Sequence, residues 1–462
     1  MIETQVIAFP ARPAGNRLDI AVIGSGIAGL GAAWLLSKFH RVTLYERESR
    51  LGGHSNTVDV PTAAGVLPVD TGFIVYNELN YPNLTSLLRH LDVATIDSDM
   101  SFAVSIDGGR LEYSGGSWSG LFAQPGNILR PRYLKMLAEI SRFFRDAPRA
   151  RTEPANVSLG SWLAERRYSE AFLYDHLLPM AAAIWSVPVR QMLAFPVASF
   201  VAFLHNHGLL RLTDRPQWRS IAGGSRSYIK RILDDFDGRI LRGTPVAAVR
   251  PGPAGVAVHD AMGGIKRYDH VVIATHGDEA LGMLPGASPE VRETLAAFRY
   301  QPNTAVLHRD PRLMPRRRRA WSSWNYLAVT GVDGARADTA RVSVTYWMNR
   351  LQNLDPQHPV FVSLNPIRAP RDELTVAAFE YSHPAFDAAA IQAQNRLAGL
   401  QGRQGIWLCG SYCGYGFHED ALASGLAVAE MIGAQRPWSN ATPPAIARRA
   451  APDMAIAQAG DD

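Results

Sequence analysis

The 462-residue chain is short of several features, and each shortage narrows what it can be. Its two cysteines, Cys409 and Cys413, are too few for a disulfide framework and lack the histidine partners of a structural zinc site. We therefore expect no metal and a reducing compartment, the cytoplasm. The N-terminus lacks the basic and apolar regions of a signal peptide, and no apolar run approaches the roughly 18 residues that span a bilayer.

Lysine is also scarce. Of the 47 lysines and arginines, only four are lysines, namely Lys38, Lys135, Lys230 and Lys266. The basic residues exceed the 42 acidic residues and give a formal net charge of +5. This charge favours anionic surfaces as partners. We expect no nucleic-acid partner.

Residues 18–46 have the pattern of a strand, a glycine turn, a helix and a second strand. The apolar run 18–23 is typical of a buried parallel strand, and apolar residues recur at helical spacing over 27–39. The second strand, RVTLYE, ends at Glu46. This is the order of elements in a dinucleotide-binding unit.

Each glycine of the turn has a separate task. Gly24 makes the tight turn, Gly26 lets the backbone approach a pyrophosphate, and Gly29 lets the helix pack closely on the strand. The phosphates would bind free N–H groups at the helix N-terminus, and Glu46 would accept hydrogen bonds from the adenosine ribose. Its charge disfavours the 2′-phosphate of NADP. The residues predicted here to contact the cofactor are Gly24, Ser25, Gly26, Ile27, Ala28, Gly29, Glu46 and Arg47. The unit alone fits either NAD or FAD.

A second glycine pair, Gly52 and Gly53, follows Glu46 closely. The combination resembles the extended FAD fingerprint of the flavin amine oxidase superfamily, which includes phytoene desaturases and protoporphyrinogen oxidases. The superfamily has arginine after the pair, where this chain has His54, followed by Ser55. The resemblance leaves two roles for His54, a polar contact to the cofactor or the point of its covalent attachment.

Further segments match the superfamily in its order along the chain. VDTGF, with Thr71, Gly72 and Phe73, resembles the segment that closes over the flavin ring. IAGGSRSYIKRI, residues 221–232, resembles its GG-plus-helix element, and Val246 corresponds to the strand that contacts adenine. YDHVVIATHGDEAL resembles a returning strand of the dinucleotide sheet that ends at Ala274.

The last of these segments, residues 405–432, resembles the C-terminal flavin motif of a strand, a loop and a helix. The superfamily commonly has an acid after the glycine that corresponds to Gly410, and Ser411 stands there instead. We expect the helix to open near Asp420, so that the N–H groups of Ala421 and Leu422 face the flavin edge where negative charge develops.

The resemblance implies an α/β fold in which a Rossmann-like FAD-binding domain is interleaved with an α+β substrate domain. The FAD-binding domain is assigned to residues 17–75, 216–289 and 401–434, and the substrate domain to 76–215 and 290–400. Residues 1–16 and 435–462 are expected to be disordered, because the tail is rich in Ala and Pro and has no steady periodicity.

The reaction is expected to be dehydrogenation of an organic substrate, with hydride passing to flavin N5. No second G-x-G-x-x-G follows a predicted strand, so reduction by NADPH is disfavoured. Amine oxidases of the superfamily use a lysine near the flavin, and the corresponding stretch, residues 298–315, contains none. His308 in that stretch and Tyr415 in the loop before the last helix are the candidate catalytic residues.

Aromatic residues are frequent in the segments assigned to the substrate domain. They fit an apolar tunnel for a hydrocarbon, although ordinary core packing also accounts for them. They are Trp118, Trp162, Trp185, Trp218, Trp321, Trp324, Trp347, Phe195, Phe200 and Phe203.

VDTGFIVYNELNYPNL, AWSSWNY, YWMNRLQ and FVSLNP resemble a bacterial branch of FAD-dependent oxidoreductases associated with cyclopropane-fatty-acyl methyltransferases. This resemblance implies a desaturase of phospholipid or fatty acyl chains. An amine oxidase, a carotenoid-type polyene desaturase and a flavin-binding protein that delivers lipid to a methyltransferase are the alternatives.

Two basic segments suggest association with an anionic membrane surface. In residues 130–151, Tyr133, Leu137, Ile140 and Phe144 share one helical face among arginines. Residues 316–327 place four arginines beside two tryptophans. A partly solvated helix and a charged loop are the alternative interpretations.

Overall fold

The computed structural model describes residues 17–154, 156–185, 192–206, 209–210, 215–329 and 341–438. The predicted disordered ends therefore fall largely outside the described residues. The first four residues of the predicted tail are an exception, since the Trp438 ring stacks on Trp34 at 5.9 Å and Arg436 pairs with Glu430. These contacts pack residues 436 and 438 against the folded protein.

The elements are numbered in chain order. Strands β1 to β20 are Asp19–Ile23, Arg41–Tyr45, Thr57–Thr62, Gly65–Asp70, Val75–Asn77, Thr95–Ser98, Phe102–Ile106, Leu111–Ser114, Trp218–Ile221, Gly238–Leu241, Val246–Gly252, Gly255–Asp260, Ile265–Tyr268, His270–Ile273, Arg299–His308, Trp324–Val329, Arg341–Trp347, Phe361–Leu364, Thr375–Ala385 and Ile406–Leu408.

Helices α1 to α14 are Ile27–Ser37, Pro82–His90, Trp118–Leu121, Pro131–Asp146, Leu159–Glu165, Glu170–Phe172, Leu178–Trp185, Val197–Asn206, Arg226–Asp234, Gly277–Gly282, Pro289–Ala296, Met348–Leu351, Ala388–Leu400 and His418–Met431. A π-helical segment, Leu173–Leu177, joins α6 to α7. Short 3-10 helices are Pro125–Leu129, Ala147–Thr152, Pro311–Leu313, Arg318–Ala320, Asp372–Leu374, Arg403–Gly405 and Ser411–Cys413.

The first sheet is parallel throughout, in the order β10-β2-β1-β14-β20. Its central strand β1 is buried from Ile20 to Ile23, as expected for a parallel strand covered on both faces. Helices α1 and α14 cover one face together. Glycines allow the two helices to pack closely. A Cβ at Gly425 would lie 2.1 Å from the Ala28 carbonyl oxygen, and a Cβ at Gly31 would lie 2.6 Å from the Leu422 side chain.

The second large sheet has the order β19-β15-β18-β17-β16-β7-β8 and is antiparallel except where β16 pairs with β7. Its apolar residues form one core together with residues from α4 and α7. Helices α4 to α8 enclose a further aromatic core that includes Phe143, Trp162 and Phe172. This mixed sheet and its helical layer agree with the α/β two-domain architecture implied by the sequence.

A small sheet joins segments assigned to different domains. Strand β9, from the predicted segment 216–289, lies between β5 and β6 in the order β5-β9-β6. Strand β6 belongs to the predicted segment 76–215, so backbone hydrogen bonds cross the assigned boundary. The division into two domains stays a prediction.

Helix α4 uses its apolar face inside the protein. Tyr133, Met136 and Phe143 are buried, and Leu137 and Ile140 pack against the same cores. Of the two interpretations of this helix, the structure supports the partly solvated one, because the apolar face packs against protein. Among the residues that the structure describes, no helix combines the length and apolar character needed to cross a bilayer.

Candidate active site

A cavity of about 1200 Å³ extends from the glycine turn after β1 into the space between the second sheet and the helical layer. Most of the predicted cofactor residues line it, although they come from distant parts of the sequence. These are Gly24, Ser25, Gly26, Ile27, Ala28, Glu46, Arg47, Gly52, Gly53, His54, Thr71, Gly72, Phe73, Val246, Gly410, Ser411 and Ala421. Tyr415 also lines the cavity and is 40% exposed.

The three glycines of the first turn differ as the sequence analysis predicted. Gly24 has φ +100°, where L side chains are strained, and a Cβ there would lie 2.9 Å from the Ala274 carbonyl oxygen. A Cβ at Gly29 would lie 1.9 Å from the Gly24 carbonyl oxygen, so Gly29 serves helix packing and does not line the cavity. A Cβ at Gly26 would meet no atom within 4 Å. The space beside Gly26 is therefore open to a ligand.

The N-terminus of α1 faces this space without a cap. No side chain caps it, and no acidic residue lies in its first turn. Its first N–H groups have no partner within the helix and can bind an anion, which the helix dipole also favours. This end of the cavity fits a pyrophosphate.

Glu46 is held at the end of β2. Its Oε2 accepts hydrogen bonds from the Ser25 backbone N–H at 2.9 Å and the Ser25 hydroxyl at 2.5 Å, and its Oε1 accepts one from Glu48 N–H at 2.9 Å. Each oxygen retains acceptor capacity for a ribose hydroxyl. Arg47 beside it pairs with Glu279 at 2.7 Å.

Arg50, which the sequence analysis did not single out, fixes the second glycine pair. Its guanidinium donates to the carbonyl oxygens of Gly53 at 2.8 Å and Ser55 at 3.0 Å. A Cβ at Gly53 would lie 3.1 Å from Gly26 Cα, so the two glycine loops are in contact. Arg50 also lines the cavity, so it stabilises this loop and contributes to the wall itself.

Asp70 joins three segments of the site. It is fully buried and accepts hydrogen bonds from Thr57 Oγ1 at 2.6 Å, Ser225 Oγ at 2.7 Å and Gln352 Nε2 at 3.0 Å. Burial raises the pKa of this carboxyl to about 6. The GG turn at 223–224 packs directly against these hydrogen bonds, because a Cβ at Gly224 would lie 2.5 Å from Thr57 Cγ2 and 3.2 Å from Asp70 Oδ1.

The C-terminal helix begins earlier than predicted. We expected it to open near Asp420, but α14 begins at His418 because the Asp420 side chain accepts the Phe417 N–H at 2.9 Å and caps the helix. Ala421 lines the cavity, whereas Leu422 is fully buried against α1 and does not. Ser424 Oγ accepts the Gly410 N–H at 2.9 Å, which ties the helix to the loop before it.

Two other predicted residues lie outside the cavity wall. The Ser55 hydroxyl bonds the buried Tyr228 hydroxyl, which also contacts His418 Nε2 at 2.8 Å. His308 is fully buried in β15, with Nε2 2.8 Å from Ser363 Oγ and Nδ1 accepting the Asp310 N–H at 3.1 Å. Because both ring nitrogens are engaged in the sheet, His308 is corrected from a catalytic candidate to a core residue.

Several histidines line the cavity close to one another, and only His54 was among the predicted site residues. The His54 ring lies 5.5 Å from His383 and 6.2 Å from His276, and its Nε2 is buried without a partner among the described residues. His418 stacks on Phe73 at 3.8 Å. Among the described residues, no group of His, Cys, Asp or Glu is arranged to hold a metal ion.

Burial keeps these histidines neutral. It lowers the pKa of His383 to about 4 and that of His418 to about 3, and together with the neighbouring histidines it holds the pKa of His54 well below its usual range. A signal for His276 was available, since it follows the parallel strand β14 at its carboxyl end. His383 lies on β19 and had no such signal.

Another part of the same cavity, which we call the chamber, has apolar and aromatic walls. Of the aromatic residues noted in the sequence, Trp218, Trp324 and Phe203 line it. Other wall residues are Met100, Phe102, Tyr113, Phe144, Met180, Ile184, Leu209, Tyr346, Leu364 and Phe379.

The remaining aromatic residues of that set have other places. Trp162, Phe195 and Phe200 are core residues, and Trp321 packs on Trp347 at 5.4 Å. Trp118 is exposed, and the Trp185 side chain lies outside the described part of the chain.

The π-helical segment places a polar pair in the chamber. His176 lines the cavity, with its Nδ1 3.0 Å from the Tyr113 hydroxyl, and that hydroxyl donates to the Asp175 carbonyl oxygen at 2.8 Å. Burial lowers the pKa of His176 to about 4. Single-turn π segments often occur at functional sites.

The site fits FAD at each point that can be compared. It has an open space beside Gly26, free N–H groups at α1, an acid at the end of β2, and a second helix, α14, whose N-terminal turn lines the same cavity. The cavity is continuous from the phosphate end to the histidines, as an elongated dinucleotide requires.

Comparisons with known proteins agree with a flavin site. Residues 27–433 match the family described as flavin containing amine oxidoreductase. Cyclohexylamine oxidase from Brevibacterium oxydans IH-35A has the same fold, with a TM-score of 0.63 and 17% identity over 90% of this chain and all of that one. The CLA-producing fatty acid isomerase from P. acnes has a TM-score of 0.62 and 14% identity over 90% of this chain and 99% of that one.

A curated relative matches over a shorter segment. Carotenoid phi-ring synthase of Streptomyces griseus is 42% identical over 84 residues, which are 18% of this chain and 16% of that protein. The match to the family covers most of the chain. The chain belongs to the flavin containing amine oxidoreductase family and is a flavin-dependent oxidoreductase with FAD as its cofactor.

Proposed function

We propose that the enzyme dehydrogenates a long apolar chain, and specifically a fatty acyl chain of a phospholipid. The observation that carries this proposal is the continuity of one cavity, which leads from the cofactor end past the histidines into the chamber with apolar and aromatic walls. Such walls stabilise a hydrocarbon by removing its surface from water.

The positions of the lysines support a substrate other than an amine. No lysine lines the described cavity. Lys38 pairs with Asp235, Lys230 pairs with Asp234, and Lys266 lies over the Tyr268 ring at 5.0 Å. Lys135 is exposed on α4. The lysine that amine oxidases of this superfamily use near the flavin therefore has no counterpart among these side chains.

When bound, FAD supplies a two-electron acceptor for the hydrogen removed from the substrate. The protein provides the rest. The uncapped helix N-terminus and Glu46 bind the dinucleotide, and the chamber walls orient the chain and exclude water. The histidines add polar groups without positive charge at neutral pH, because burial lowers the pKa of His383 to about 4.

The similar proteins are consistent with a fatty acyl substrate and with a polyene substrate. The P. acnes protein shares the fold and is a fatty acid isomerase, and the S. griseus protein, matched over one segment, is a carotenoid phi-ring synthase. Both names refer to long hydrocarbon compounds. A polyene is accordingly the second candidate substrate, and delivery of lipid to a methyltransferase partner is the non-enzymatic alternative.

Anaerobic reduction of the flavin tests these proposals. The purified holoenzyme is mixed without oxygen with detergent-dispersed phospholipids, free fatty acids, a carotenoid, or primary and polyamines, and visible flavin absorbance is followed. We expect bleaching by phospholipids with unsaturated or methylated chains, and a new double bond in the recovered lipid. Bleaching by amines alone would refute the proposal, bleaching by the carotenoid alone would favour the polyene, and no bleaching would favour lipid delivery.

A further inference from the structure

Large apolar side chains are exposed within one short stretch of the chain, residues 118–134. Trp118 is 80% exposed, Ile128 56%, Leu129 83% and Leu134 43%. They belong to three consecutive elements, namely α3, the 3-10 helix Pro125–Leu129 and α4. We call these four side chains the docking surface.

Packed aromatic side chains support the docking surface from the protein side. The Trp118 ring stacks on Phe122, and the Phe122 ring meets the buried Tyr133 ring edge-on at 6.2 Å. The Tyr133 hydroxyl donates to the Leu121 carbonyl oxygen at 2.6 Å, which ties α4 to α3. The exposed side chains are thus held in place, although water solvates them poorly.

Basic residues surround the docking surface. Arg130 donates to the Arg110 carbonyl oxygen at 3.2 Å, and Arg317 donates to the neighbouring Gly109 carbonyl oxygen at 3.2 Å. The 3-10 helix Arg318–Ala320 contacts α3, so the run of four exposed arginines, residues 316–319, lies near the short helix that carries Trp118.

Negative charge is scarce in the same place. Glu112 is the acidic residue between 108 and 135, and it is fully buried. Its carboxylate accepts the backbone N–H groups of Arg316 at 2.7 Å and Arg317 at 3.1 Å, so it orients the arginine run. The same carboxylate pairs with the Arg317 guanidinium at 2.9 Å, so one acidic side chain stands against the four arginines of the run. Exposed apolar side chains beside such an excess of arginine are the combination that binds an anionic lipid surface.

The cavity reaches the surface at this point. Gly115 and Gly116 line the cavity and are themselves exposed, and they immediately precede Ser117 and Trp118. Tyr113 on the same strand segment lines the chamber. The docking surface therefore lies beside an opening that leads to the apolar walls.

We propose that the docking surface seats the enzyme on an anionic phospholipid bilayer and opens the chamber toward its acyl chains. The inference deepens the proposed function by naming the bilayer as partner, and it rests on that function for the identity of the chain that enters. A symmetric contact between two copies through this surface would bring arginine against arginine, which like-charge repulsion disfavours. Anionic headgroups complement the same charge.

Sedimentation with vesicles tests the proposal on the holoenzyme. Phosphatidylcholine vesicles are compared with vesicles that also contain phosphatidylglycerol, at low and high salt. We expect binding to the anionic vesicles that weakens with salt, and a roughly tenfold or greater loss in Trp118→Ser/Leu129→Ser. The matched control is Met262→Ser/Ile265→Ser, since these side chains are 83% and 64% exposed on the β12–β13 hairpin. Retained flavin shows that each variant is folded.

A second pair of variants separates charge from apolar contact. Arg318→Gln/Arg319→Gln should reduce binding and its salt dependence, whereas Arg250→Gln/Arg267→Gln, on β11 and β13, should not. No binding by the wild type, or equal binding by Trp118→Ser/Leu129→Ser, would overturn the proposal. So would a concentration-dependent dimer that the same variant abolishes.

The two proposals fail in distinguishable ways. Vesicle binding is measured without turnover, and the flavin-reduction assay uses dispersed lipid and needs no bilayer. Binding to anionic vesicles without reduction by any acyl lipid would support docking and refute the proposed function. Reduction by dispersed lipid without vesicle binding would overturn docking alone.

Discussion

At Gly26 a side chain would project into open cavity, whereas at Gly29 it would collide with a carbonyl oxygen at 1.9 Å. The spacing of the glycines was sufficient to predict this difference, because the turn brings a fixed set of neighbours to each position. The histidine cluster was not predictable in this way. His383 reaches His54 only after more than 300 residues of intervening chain, so no local pattern relates them.

The two glycines give opposite phenotypes when replaced. Gly26→Val should fold with little change in thermal stability but should lose bound flavin, because the new side chain occupies the space meant for the ligand. Gly29→Ala should lower the unfolding free energy by about 1–3 kcal/mol or more through overpacking. Thermal denaturation and visible flavin absorbance measure both effects. Retention of flavin by Gly26→Val would contradict the phosphate-binding role.

Asp70 makes stability depend on pH. Because burial raises the pKa of this carboxyl from 3.8 to about 6, its contribution to stability is fully present below pH 3.8 and is lost as pH rises through about 6. Asp70→Asn lacks this titration. The stability of the wild type relative to the variant should therefore decrease between pH 4 and pH 7, by up to about 3 kcal/mol. Melting temperatures across this range test the sign, and a pH-independent difference would be inconsistent with a buried carboxyl of raised pKa.

At the scale of elements, the sequence predicted the βαβ unit closely but not the contacts between helices. The first helix was expected over 27–39 and is Ile27–Ser37. Helix α14 was expected to open near Asp420 and begins at His418, because the Asp420 side chain accepts the Phe417 N–H and caps the helix. The apolar face of α4 was compatible with a membrane surface or with a partly solvated helix, since amphipathic periodicity does not distinguish a lipid surface from a protein core.

The contact between α1 and α14 is tight enough to test by one methyl group. Gly425→Ala would place a Cβ 2.1 Å from the Ala28 carbonyl oxygen and should lower the unfolding free energy by roughly 1–3 kcal/mol, with weaker flavin retention. Gly282→Ala, where a Cβ meets no atom within 4 Å, is the matched control. Equal melting temperatures for the two variants would show that the helices separate without cost.

At the scale of the whole molecule, the active site exists only where distant segments meet. The glycine turn, the loop at His54, the end of β19 and the start of α14 all line one cavity. Asp70 holds a further set together through Thr57, Ser225 and Gln352. Because the wall is built from segments that are far apart in the sequence, the sequence predicted aromatic residues in the chamber but not which of them line it.

The chamber predicts a dependence on chain length. Met180 lines the cavity and is partly exposed to it, so Met180→Trp should narrow the chamber without disturbing the glycine turn. We expect the rate of flavin reduction by long acyl chains to fall about tenfold or more, with a smaller effect on short chains. Stopped-flow reduction measures this, with Met262→Trp on the exposed hairpin as control. Equal rates for long and short chains in both variants would place the substrate elsewhere.

The sequence by itself determined the dinucleotide unit, the second glycine pair, the kinship with flavin oxidoreductases and the absence of lysine from the stretch around His308. Those features depend on local backbone geometry and on residue identity, which neighbours along the chain specify. The tertiary structure alone decided that His308 is a core residue, that histidines gather around His54, and that Trp118 and Leu129 remain exposed beside the cavity opening. The burial of a side chain and the residues around it depend on packing between segments that are far apart in the sequence. That packing forms only when the whole chain folds.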